Sequence, residues 1–285
     1  MTDGHPMNVM LTSIAFVVAA LCAGLMGFAI QRGATCTVAA VNEVVNKRRF
    51  NRLMAIAEAS AWVTGGLLIA QWLHLLAKIP AGYPVNYLTV LGGALLGLGA
   101  FINSACVFGA IARLGSGEWA YLATPLGFYV GCLSLGSCLP YSAHQSLDDG
   151  SFVLRAPPSV SLLFAAFVIW RIARPLLTAL PDGSGPGVFQ RLRQGIATRV
   201  WSPHAATTVI GVTFLLMLLL VGAWSYTDVL TELARGMASS LVTRGLLLLA
   251  LLLGAMLGGR TAGRFGGARR VGRRNFTTSR PQNRA

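Results

Sequence analysis

Two ten-residue stretches carry the residues most able to do chemistry. The first is Gly27-Phe28-Ala29-Ile30-Gln31-Arg32-Gly33-Ala34-Thr35-Cys36 and the second is Gly97-Leu98-Gly99-Ala100-Phe101-Ile102-Asn103-Ser104-Ala105-Cys106. Glycine falls on glycine and cysteine on cysteine at a constant offset of 70 residues. A thiol is a weak hydrogen-bond donor on a soft, polarisable atom, which suits contact with another soft sulfur. Arg32 carries a fixed positive charge and Gln31 two donors and an acceptor, so an anion would find partners just ahead of Cys36. Arg32 at a helix end also fits a side chain that snorkels to the interface. Gly33 can end a helix and free backbone N–H groups. In the second stretch Asn103, Ser104 and Cys106 supply the polar break, and Asn103 and Cys106, three apart, are expected to share a helical face. That break fits either a solute site or hydrogen bonding between helices.

The remaining candidates are sparser. Cys22 lies earlier in the first apolar run and is a third thiol along the same path. Cys132 and Cys138 are six apart, share no helical face, and read as small buried hydrophobes. There is no CxxC, so the five cysteines do not describe a disulfide framework. His5, His74, His144 and His204 are scattered and predict no metal site; no cofactor is expected. Glu58 falls inside an apolar run, where a carboxylate needs either a function or a cation such as Arg52 or Arg32.

The elements that hold these residues are apolar helices. Of 285 residues, 54% are hydrophobic and 11% charged, against about 25% charged in soluble domains. Seven runs, at 8–31, 53–76, 86–112, 118–139, 158–179, 207–227 and 241–259, are each about 20 residues or more, enough to cross hydrocarbon. Residues 35–46 form a short helix that cannot span. It is re-entrant or interfacial, and a re-entrant one would aim its N-terminal N–H groups, near Thr35 and Cys36, at an anion. No Lys or Arg precedes the first run, and Leu21 is too large for the position before Cys22 in a lipoprotein cleavage site, so that run is expected to be retained.

Charge sets the expected orientation. Lys47, Arg48, Arg49 and Arg52 follow the first run, Arg113 the third, Arg171, Arg174, Arg191, Arg193 and Arg199 the fifth, and eight arginines the seventh. The positive-inside rule then puts the N-terminus outside and the tail in the cytoplasm. The net charge of +14 is accounted for by orientation and anionic lipid; no stacking aromatics or folded basic module point to nucleic acid. The expected organisation is a two-repeat transport core over 1–139, an outer loop at 140–157, a second bundle at 158–259 with a cytoplasmic linker at 181–205, and a basic tail at 260–285. Each repeat holds an even number of crossings, so the two share one orientation. The fold class is therefore an all-α polytopic membrane protein with two same-orientation repeats and re-entrant short helices.

At Gly27–Cys36 the pattern GFxxQRGxxC resembles the YeeE/YedE family of sulfur transport proteins, and Cys106 followed by Leu114-Gly115-Ser116-Gly117-Glu118-Trp119 resembles its second signature. The resemblance covers residues 8–139 well and the rest loosely. It implies an hourglass-shaped helical protein of the bacterial inner membrane that takes up thiosulfate or a related sulfur anion past thiols at the narrow point. It also implies a cytoplasmic TusA-like or rhodanese-type sulfur carrier as partner. Longer members carry a further cysteine-bearing block after a helix like 241–259. Here Gly258-Gly259-Arg260 leads into an Arg-rich tail instead, so that block is expected to be lacking. Two other readings stay open: a membrane thiol oxidoreductase, and a non-transporting subunit that recruits a sulfur carrier through its basic loops. The first needs a redox pair close in space; the second needs only the charged surface.

Overall fold

The computed structural model describes residues 6–33, 35–75, 85–138, 157–179, 201–222, 224–236 and 241–263. Among them every regular element is helical: α1 (Pro6–Gly33), α2 (Thr37–Lys47), α3 (Asn51–Trp72), α4 (Tyr87–Ile102), α5 (Val107–Gly115), a 3₁₀ turn at Trp119–Leu122, α6 (Ala123–Cys138), α7 (Pro158–Ala179), α8 (Pro203–Val221), α9 (Tyr226–Ala234) and α10 (Leu241–Thr261). Five stretches are long and apolar enough to cross a bilayer: Ser13–Lys47, Asn51–Trp72, Tyr87–Gly115, Pro203–Val221 and Val242–Thr261. The fourth expected run corresponds to the 3₁₀ turn followed by α6, and the fifth to α7. The outer loop, most of the linker and the tail from 264 onward lie outside the described residues.

Two expected helices are broken. The run 86–112 divides into α4 and α5, so Asn103 and Cys106 do not share a helical face: one caps the end of α4 and the other the start of α5. The break is a Schellman turn. Ser104 N–H bonds to Phe101 O at 3.0 Å and Ala105 N–H to Ala100 O at 3.2 Å, with Ser104 in the left-handed region at φ 54°. The run 207–227 divides at Gly222, whose φ of 89° only glycine adopts without strain.

α1 is the axis of the bundle. Ala19, Ala23, Met26 and Ile30 follow helical spacing and meet Leu247, Leu251 and Ala255 of α10, Met217 of α8 and Ile111 of α5 in the core. Glycines let α1 and α10 touch backbone to backbone. A Cβ on Gly27 would stand 2.0 Å from Leu251 O, and one on Gly254 1.9 Å from Gly24 O. Without a hydrophobic driving force between helices in lipid, such close packing is a main source of association.

α3 packs on α8 and α7, with Trp62 edge-on to Phe164 and Phe167. Glu58 of α3 accepts from Arg171 Nε at 2.9 Å and pairs with His204 Nδ1 at 2.6 Å, tying three helices together. Neither Arg32 nor Arg52 takes that role; Arg52 meets Glu43 at 3.3 Å. None of the 16 residues of α4 is buried, and the same holds for the described residues of α6 and α7. In a bilayer such an apolar surface is solvated by lipid chains.

Candidate functional site: a thiol pair between two helix N-termini

Cys36 and Cys106 meet. Cys36 is the N-cap residue of α2 and Cys106 that of α5, both with extended backbone. The sulfurs are exchanged between the two turns: Cys36 Sγ accepts the Cys106 N–H at 3.5 Å, and Cys106 Sγ accepts the Thr37 N–H at 3.3 Å. Cys106 Sγ also caps its own helix, accepting from Gly109 N–H at 3.4 Å. Each sulfur lies against the other cysteine's turn. One sulfur thus satisfies orphan donors of two helices, at the point where both macrodipoles present their positive ends.

The surrounding residues fix this joint. Asn103 donates to Ala105 O at 3.3 Å and to Thr124 Oγ1 at 2.9 Å, holding the turn before Cys106 to α6. Arg113 donates to Ser104 O at 3.4 Å, pairs with Glu118 at 3.2 Å and lies over the Tyr121 ring at 4.7 Å. Gly109 leaves room for the partner thiol, since a Cβ there would stand 2.6 Å from Cys36 Sγ. Tyr226 OH donates to Val107 O at 3.3 Å. Of these only Asn103 stands out as a candidate in the sequence. Arg113 reads there as an orientation charge, and nothing local marks Gly109 or Tyr226.

The residues ahead of Cys36 are placed differently from one another. Gln31 is buried and donates to Ser116 Oγ at 2.8 Å. Arg32 is 3% exposed, so it does not snorkel; its Nη2 donates to Thr261 Oγ1 at 2.8 Å and its guanidinium lies 5.0 Å from the Phe28 ring centre. Gly33 packs on the start of α8, where a Cβ would stand 2.2 Å from Ala206 Cβ, and Trp201 N–H satisfies Arg32 O at 3.2 Å. Cys22 packs against the α1 core and does not line the groove that reaches Cys36. Cys132 lies 3.7 Å from Thr231 Oγ1.

That groove, of about 930 Å³, runs between α2, α4 and α5. Cys36, the first turn of α2 (Thr37, Val38, Ala39) and Gln31 face it, as do Arg52 and Arg113, each matched by its own carboxylate. A second groove, of about 750 Å³, lies on the other flank of α5 and is lined by Val107, Phe108, Ile111 and Tyr226. Cys36 lines the first groove, and Val107, next to Cys106, lines the second.

The sequence model for sulphur transport matches residues 32–278, which takes in both cysteines, α2 through α10 and the segments between them. No curated protein is similar enough to this chain to be matched to it. With a helical fold among the described residues, five stretches of which are long and apolar enough to span a bilayer, this match makes the chain a multi-pass membrane protein of the sulphur transport family, the YeeE/YedE group.

Proposed function

We propose that the chain passes thiosulfate, or a closely related sulfur anion, across the bilayer by way of the Cys36–Cys106 pair. The observation that carries this reading is the meeting of two thiols from separate helix breaks, at two helix N-termini, with a groove leading to one of them. An anion is drawn to helix N-termini, each equivalent to roughly half a positive charge. The terminal sulfur of thiosulfate is soft and accepts a thiol S–H. Such bonds are weak, so the ion is held loosely enough to leave, as conduction requires. Lysines in the same place would hold a dianion more firmly.

In this reading Cys36 and Cys106 touch the ion and Gln31 faces its approach. Arg32, Gly33 and Asn103 position the two breaks, and Cys22 offers a thiol earlier on α1. The passages α1–α2 and α4–α5 act as related halves of equal orientation, with the short helices re-entrant and the basic loops cytoplasmic. A TusA-like or rhodanese-type carrier receives the sulfur inside.

The test is uptake of labelled thiosulfate by the purified chain in liposomes, with sulfate as competitor. Cys36→Ala and Cys106→Ala are each expected to cut uptake about tenfold or more, the equivalent of about 1.4 kcal/mol at the narrow point. Sulfate, which lacks the soft terminal sulfur, should compete poorly. Full uptake by both variants, or binding of a sulfur carrier with no uptake by the unaltered chain, would defeat the proposal.

A further inference from the structure

The thiol pair has a second chemistry open to it. Both cysteines are free, and the backbone places each within reach of the other. Cys106 N lies 3.5 Å from Cys36 Sγ and Thr37 N lies 3.3 Å from Cys106 Sγ, so each sulfur rests against the other's turn. A disulfide needs the sulfurs at about 2.05 Å with the two Cα atoms about 4.4–6.8 Å apart. With each sulfur already against the other cysteine's turn, rotation of the two side chains about Cα–Cβ is the movement that brings the sulfurs to bonding distance. Gly109 assists, because the absence of a Cβ lets Cys36 Sγ lie directly on the first turn of α5. The groove opens onto Cys36, so a small oxidant has access.

We infer that Cys36 and Cys106 form a reversible disulfide that locks the α2–α5 joint when a peroxide enters the groove. One thiol sulfur attacks a peroxide oxygen, the O–O bond breaks, and a sulfenic acid and one water result. The second thiol sulfur then displaces the sulfenic oxygen as a second water, and the S–S bond forms. In sum two thiols lose two hydrogens and two electrons, and hydrogen peroxide is reduced to two waters. The lock removes both S–H donors and pins the N-termini of α2 and α5 together. A dithiol reductant reverses it by exchange. Closure of sulfur uptake by the lock rests on the function proposed above; formation of the bond does not.

The experiment uses the full chain in liposomes, treated with hydrogen peroxide, quenched with an alkylating reagent and mapped by peptide mass. A Cys36–Cys106 linked peptide is expected, lost in Cys36→Ser and in Cys106→Ser and cleaved by dithiothreitol, while Cys22 and Cys132 remain alkylated. In parallel, peroxide should lower thiosulfate uptake about tenfold, equivalent to about 1.4 kcal/mol, and dithiothreitol should restore it. If uptake occurs but both thiols stay alkylatable under peroxide, or one goes to sulfinic acid without a link, the lock is refuted and the transport reading stands. If the link forms but no thiosulfate moves before or after reduction, the lock stands and the transport reading falls.

Discussion

Cys106 Sγ holds two backbone donors from two helices, at 3.3 and 3.4 Å, while Cys36 Sγ rests on Gly109. The arrangement depends on a missing methyl group as much as on the thiols. Gly109→Ala would set a Cβ 2.6 Å from Cys36 Sγ. The sulfur must turn away or the α2 start must shift, at a cost of about 1–3 kcal/mol for overpacking. The expected outcome is a chain that still folds, with lower thiosulfate uptake and faster alkylation of Cys36; unchanged alkylation would show that the contact does not hold the thiol. Both cysteines are legible in the sequence from their shared offset. Gly109 is not, because its importance comes from what stands opposite it.

The two glycines that match in sequence, Gly27 and Gly97, do different work in their helices. Gly27 lies 2.0 Å, measured from an added Cβ, from the α10 backbone, whereas nothing comes within 4 Å of one on Gly97. Gly27→Ala is therefore expected to force α1 off α10 and to lower the melting temperature of the purified protein. Gly97→Ala should leave it unchanged or raise it, since alanine gains about 1 kcal/mol of helix propensity. Equal melting temperatures for the two variants would contradict the backbone contact seen at the α1–α10 crossing. The same contrast explains what the sequence conveyed about the elements. Apolar runs mark helices through composition, which is local. The polar residues Asn103, Ser104 and Cys106 mark the break at 103–106, but its turn geometry, and the break at Gly222, are set by backbone dihedrals and by polar partners such as Arg113, of which an apolar run gives little warning.

For the molecule as a whole, the orientation proposed from the positive-inside rule has the loop with Lys47, Arg48, Arg49 and Arg52 in the cytoplasm, and the tail with it. A green fluorescent protein fused after Ala285 should fluoresce in a bacterial host, and an alkaline phosphatase at the same point should be inactive. The reverse pair of results would invert the orientation. Membrane class, helical content and the two thiol-bearing breaks were all determined by the sequence itself, because each depends on the composition of a short stretch and on the solvent it needs. The tertiary structure alone decided partnership. It joined Arg32 to Thr261 and Glu58 to Arg171 and His204, and set Cys36 against Cys106. Such contacts lie between residues far apart along the chain, so they follow from how the helices cross rather than from the residues on either side.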